Sequence, residues 1–75
     1  MRRLKPLAFR EIKRRLEAAG FAEVGQHGSH VKFARMAGDA VYTAIVPRQQ
    51  EVPIGTLRSV LRQAHIDPEP WEQLA

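Results

Sequence analysis

The sequence predicts an α+β domain of the order α-β-β-β-α, in which a three-stranded antiparallel sheet carries its two long helices on one face. Three observations point there. Apolar residues recur at helical spacing from Leu7 to Ala19 and again from Gly55 to His65. The stretch between them alternates apolar and polar residues with a period of two. Glycine-containing segments interrupt that alternation at short intervals. At 75 residues, the chain 1–75 has room for a single domain, with a core over about residues 7–66 and a short C-terminal helix over about residues 68–74.

In the first helix, Phe9, Ile12, Leu16 and Ala19 share one face, with Lys13, Arg14 and Glu17 between them. Pro6 suits the position ahead of the first turn, and Gly20 suits the left-handed conformation that ends many helices. At this spacing Phe9 belongs to the core rather than to a base-stacking surface. Phe21–Gln26 reads as a first strand, weakened by Gly25, with Phe21 packing where the chain leaves the helix. His27-Gly28-Ser29 supplies turn chemistry, since glycine permits positive φ and serine bonds to neighbouring backbone. A second strand, His30–Met36, follows. Ala37-Gly38-Asp39 turns the chain into a third strand, Ala40–Val46, which is rich in β-branched and aromatic residues and is stopped by Pro47.

Short turns between successive strands make an antiparallel meander. Arg48-Gln49-Gln50-Glu51 is then a polar loop, and Pro53 stands where a helix can begin. Within Gly55–His65, Leu57, Val60, Leu61 and Ala64 form an apolar stripe, while Arg58 and Arg62 lie four apart on another face. Asp67 is expected as the N-cap, and Pro68 as the first position, of a last short helix carrying Trp71 and Leu74. Pro70 is tolerated there because it falls in the first turn.

The net charge of +4 is unevenly placed. Residues 1–35 hold nine Lys and Arg against three Glu, and residues 36–75 hold three Arg against five acids. The amino half is therefore expected to face a polyanion, drawn in a salt-dependent way. The competing reading of Arg10, Lys13, Arg14 and Arg15 is the solvated side of a helix. The absence of cysteine excludes disulfide staples and thiolate zinc sites and agrees with a reducing cytoplasm, the expected location. The basic amino end, Met1–Pro6, leads into no continuous apolar run, so neither a signal peptide nor a transmembrane helix is expected.

Chemistry concentrates in Gln26–Phe33. If Val31 and Phe33 point into a core, the strand's alternation sends His30 and Lys32 to the opposite, wet face. A histidine beside a lysine on such a face suits an RNA phosphate and its 2′-hydroxyl. Cleaving RNA without a metal needs a base for the 2′-hydroxyl proton and an acid for the leaving 5′-oxygen. His30 is the candidate base. His27, Lys32 and water are candidate acids, and the sequence does not choose among them. On a regular strand His27 would fall on the other face, although the intervening Gly28-Ser29 turn could bring the two rings together.

Lys32 and Arg35 are the candidate phosphate contacts, and Lys13 and Arg14 of the first helix would help hold the backbone. The free N–H groups at Gly55 and Thr56, with Arg58 one turn on, offer a further anion site, which ordinary capping by Thr56 explains equally well. Tyr42 is a candidate for base stacking, whereas Trp71 covers the core edge or meets a partner. His27, His30 and His65 show no metal-ligand spacing. Neither a Ser-His-Asp set nor a phosphate-cradling glycine loop is present, so no metal or cofactor is expected.

Gly28-Ser29-His30-Val31-Lys32-Phe33, followed by Val46-Pro47 and then by Gly55-Thr56-Leu57-Arg58-Ser59-Val60-Leu61-Arg62-Gln63-Ala64, resembles the HicA (YcfA-like) toxin family over roughly Leu7–Ile66. The resemblance implies a double-stranded-RNA-binding-domain-like fold and an mRNA-cleaving endoribonuclease of a type II toxin–antitoxin system. It also implies one catalytic histidine in the Gly-Ser-His motif, here His30, and a HicB-like antitoxin that blocks it. Gly28 and Ser29 of that motif join the expected RNA contacts. The chain departs from the pattern in two places: Arg48-Gln49-Gln50-Glu51 replaces a loop that often runs His-x-Gly-Lys, and His65 stands where many relatives carry glycine. The rival expectations are a non-catalytic double-stranded-RNA-binding module of the same fold and a protein-interaction adaptor.

Overall fold

The computed structural model describes residues 4–74; Met1–Arg3 and Ala75, and with them Arg2 and Arg3 of the basic amino end, lie outside the described residues. The chain runs α1 (Phe9–Ala18), β1 (Ala22–His27), β2 (His30–Ala37), β3 (Ala40–Pro47), α2 (Ile54–Ala64) and α3 (Pro68–Gln73). The strands form one antiparallel sheet in the order β1-β2-β3, so β2 is central. This is the α+β layout expected from the sequence, with α3 appended.

The ends of the elements differ from expectation by one or two residues, for identifiable reasons. Helix α1 starts at Phe9 rather than Leu7 because Leu7 pairs with Val52 in an isolated antiparallel bridge. The Phe9 N–H donates instead to the carbonyl of Gln49 at 2.9 Å, supplying the cap that no side chain provides. Gly20 (φ +97°) ends the helix, and Phe21 N–H donates back to the Leu16 carbonyl at 2.9 Å. A methyl group at Gly20 would lie 3.0 Å from the Arg35 side chain, which would have to give by a few tenths of an ångström, so the positive φ is the stronger reason for glycine there.

Both hairpin turns have two residues, with positive φ at the glycine in first position (Gly28 +61°, Gly38 +62°) and not at the Ser29 or Asp39 that follows. That pattern is the type II′ turn, whose twist matches paired strands. Pro47 closes β3 without breaking a ladder bond. The Ile45 N–H points past the sheet edge to Gln63 Oε1 at 2.9 Å, and residue 47 shares that direction.

Helix α2 ends at Ala64, and His65 takes the left-handed conformation itself (φ +60°, ψ +40°). Ile66 N–H still reaches the Leu61 carbonyl at 3.0 Å, so the cap survives without glycine. The His65 ring stacks on Tyr42 at 4.0 Å and 13°, a contact that offsets the backbone strain. Asp67 occupies the residue before α3, as expected, but its side chain caps nothing; its carbonyl accepts from Trp71 N–H at 3.1 Å.

The core lies between one sheet face and the helices. Val31, Phe33, Ala44 and Val46 contribute from the sheet, Phe9, Ile12 and Leu16 from α1, Leu57, Val60, Leu61 and Ala64 from α2, and Trp71 from α3. Trp71 is fully buried, with the Arg15 guanidinium 5.5 Å from its ring and donating to its carbonyl at 3.0 Å. Phe9 is buried in the core, as the sequence predicts.

The opposite sheet face is open. Along β2, exposed His30 and Lys32 alternate with buried Val31 and Phe33, and Met36 is 74% exposed. This two-faced strand yields a stability prediction. Phe33→Ala is expected to cost about 3–5 kcal/mol, and Met36→Ala to stay within about 0.5 kcal/mol of the parent, measured by urea denaturation. Similar costs for the two would show that the sheet is not one-sided.

Candidate active site

The register of β1 on β2 places His27 directly opposite His30. Counting along a regular strand separates the two, but the Gly28-Ser29 turn makes them a facing cross-strand pair on the open side, both exposed. Cβ atoms of such pairs stand about 4.5–5.5 Å apart, so the two side chains spring from adjacent points of one face. Lys32, exposed, follows on the same face and pairs with Gly25 on β1 and Ile45 on β3. At Gly25 an added Cβ would meet nothing within 4 Å, which leaves the floor beside Lys32 open. A bulge between Glu23 and Gly25 shifts the register there and adds Val24 to the exposed surface.

The rest of this face, through Ala22, Ala34, Thr43, Val41, Ile45 and Pro47, carries no carboxylate, so its charge near the histidines is positive. Its far end is apolar, with Met36 opposite Val41.

Gly28 and Ser29 form the tip of this hairpin. The tip is tied to the segment after β3: Arg48 N–H donates to the Ser29 carbonyl at 2.6 Å, Gln26 Nε2 to the Gly28 carbonyl at 3.1 Å, and Arg48 Nη2 to Gln26 Oε1 at 3.2 Å. The Arg48 guanidinium also lies 4.9 Å from the Phe9 ring. An open hollow of about 530 Å³ adjoins it, lined by Ala8, Phe9, Arg10, Arg48, Gln49 and Gln50. Arg48 belongs to the segment that the sequence predicts as a polar loop. The signal that could have found it is the meander itself, which returns the end of β3 to the start of β2, with Pro47 opposite His30.

Other candidates are not brought to His30. Arg35 is an odd-numbered residue of β2 and therefore shares the helix side with Val31 and Phe33. Its guanidinium lies 5.6 Å from the Phe21 ring and 5.5 Å from the Tyr42 ring, with Nε buried and without a hydrogen-bond partner. The expectation that Arg35 shares the neighbourhood of His30 is thus corrected: five residues along a strand is an odd step, and odd steps change face. Tyr42 is on the same covered side, occupied by His65.

Lys13 of α1 pairs with Glu23 of β1 at 3.0 Å, and Arg14 pairs with Glu11 within α1. Arg15 and Arg14 hold the Glu11 carboxyl below the usual carboxylate range. Thr56 is third in α2 rather than its cap, a place taken by Pro53. Exposed Arg58 borders a separate hollow with Leu61, Arg62, Ile66 and Asp67. Among the described residues, no group of three or more His, Asp or Glu is placed to hold a metal ion. No helix among them is long and apolar enough to cross a membrane.

A family model described as the HicA toxin of bacterial toxin–antitoxin matches residues 9–66, from the first residue of α1 to just past the end of α2. The chain belongs to the HicA toxin family. Neither the curated proteins nor the solved structures yield a match to it. The match includes the whole sheet and its two hairpins, so the His27–His30 pair lies inside the HicA unit and α3 lies outside it. Membership in a toxin–antitoxin family implies an antitoxin partner for this HicA domain.

The hairpin tip gives a local prediction. Gly28→Ala should cost about 1–2 kcal/mol through backbone strain alone, since no atom lies within 4 Å of the added Cβ. Gly25→Ala, free of both strain and clash, should be neutral or stabilising by up to about 1 kcal/mol. Thermal melts of the two variants check this.

Proposed function

We propose that this HicA domain is the toxin of a type II toxin–antitoxin pair and acts in the cytoplasm as an endoribonuclease on mRNA. The 2′-oxygen of a ribose attacks the adjacent phosphorus while His30 takes its proton. The new P–O2′ bond forms as the P–O5′ bond breaks, leaving a 2′,3′-cyclic phosphate and a 5′-hydroxyl after the 5′-oxygen is protonated. Lys32 neutralises the phosphate, and the backbone of the Gly28-Ser29 tip, with Arg48 behind it, holds the strand as it crosses the sheet end. Arg35, Lys13, Arg14, Thr56 and Arg58 are not needed for this reading.

One observation carries the proposal: the histidine of the family-like Gly-Ser-His motif is exposed on an open sheet face whose charged neighbour is a lysine. The expected result with purified protein and end-labelled RNA in EDTA is cleavage with cyclic phosphate ends, reduced at least 100-fold in His30→Ala. Binding without cleavage would instead identify an RNA-binding module. Undiminished cleavage by His30→Ala would remove His30 from the chemistry.

The antitoxin, HicB-like by family, is proposed to seat on the same open face and cover His30. The exposed Met36, Val41 and Ile45 support a protein partner there, because RNA gains little from aliphatic side chains while a protein interface is built on them. The surrounding positive charge favours a partner that is acidic at its rim. Val41→Lys should weaken antitoxin binding about 30-fold, read by calorimetry, while RNA cleavage by the free domain persists. Unchanged binding would move the docking surface elsewhere.

A further inference from the structure

We propose that His27 is the second catalytic imidazole, the acid that protonates the leaving 5′-oxygen. This rests on the reading of His30 as the base. In-line attack places the entering 2′-oxygen and the leaving 5′-oxygen on opposite sides of phosphorus, so the base and the acid must flank one phosphate from two directions. A single ring cannot do both in one event.

The type II′ turn supplies the required geometry: His27 and His30 are a cross-strand pair on the same wet face, at the end of the sheet where the hairpin tip leaves space. Neither histidine makes a side-chain hydrogen bond or ion pair with a described residue, so both rings are free to turn toward a ligand. Lys32 is the competing acid. It is one pair further from the tip, opposite Gly25, where an ammonium is placed to neutralise a phosphate oxygen.

Protons and bonds balance. The 2′-hydroxyl proton goes to neutral His30 as the P–O2′ bond forms. The electron pair of the breaking P–O5′ bond goes to the 5′-oxygen, which takes the proton of cationic His27. The cycle ends with His30 protonated and His27 neutral, and exchange with water restores both.

The test uses an RNA whose scissile 5′-bridging oxygen is replaced by sulfur, since a thiolate leaves without needing a proton. His27→Ala is expected to lose about 100-fold or more on ordinary RNA and to come within about 3-fold of the parent on the sulfur substrate. His30→Ala should lose on both, and Lys32→Ala should lose about equally on both. Parent-like cleavage of ordinary RNA by His27→Ala, or an equal loss on the two substrates, would overturn the assignment while leaving His30 as the base. Selective rescue of Lys32→Ala by sulfur would give the acid role to Lys32 instead. Absence of cleavage by the parent would overturn the nuclease reading itself, and this one with it.

Discussion

The structure depends on one strand having two environments. Val31 and Phe33 are fully buried against the helices, while His30 and Lys32, which alternate with them, are in water. Burying an apolar side chain of that size contributes about 1.5–3 kcal/mol. A slip of β2 by one residue would expose both and drive a lysine and a histidine into the core. The register is therefore fixed by the core, and the exposed position of His30 is a consequence of packing on the other side of the sheet.

The same rule decides which cations accompany it. Lys32 is an even step from His30 and stays on the open face, whereas Arg35 is an odd step away and is captured by the helix side. There it lies under Gly20 and between Phe21 and Tyr42. Arg35 thus links the end of α1 to the sheet, and its positive charge is taken out of the site. Lys13 and Arg14 are also committed, to Glu23 and Glu11. Much of the amino half's basic excess therefore sits in the helix layer. The positive charge beside His30 on the open face comes from Lys32, while Arg48, a residue of the less basic half of the chain, turns its guanidinium to Gln26 and Phe9 behind the hairpin tip.

The hairpin turns matter as much as the strands. A two-residue turn leaves its flanking residues face to face, so His27 and His30, three apart in sequence, become one pair. Glycine at the first turn position makes this possible without strain. The cost of the alternative is visible at His65, where a residue with a Cβ accepts the left-handed conformation and is held there by stacking on Tyr42.

The sequence by itself determined the order of elements, the three-strand meander and the identity of most core residues. It also determined the exposure of His30 and Lys32, because each of these follows from local periodicity and turn chemistry, which act over a few residues. It misjudged the ends of elements where distant partners intervene, as when Val52 holds Leu7 out of α1 and the Gln49 carbonyl caps Phe9. It left open what depends on register across strands. The pairing of His27 with His30 and the approach of Arg48 to Ser29 were decided only by tertiary structure, whereas the covered face of Arg35 and Tyr42 follows from the period of two within each strand. Cross-strand neighbours are set by how the strands align to fill a shared core, a constraint that no single segment of the chain contains.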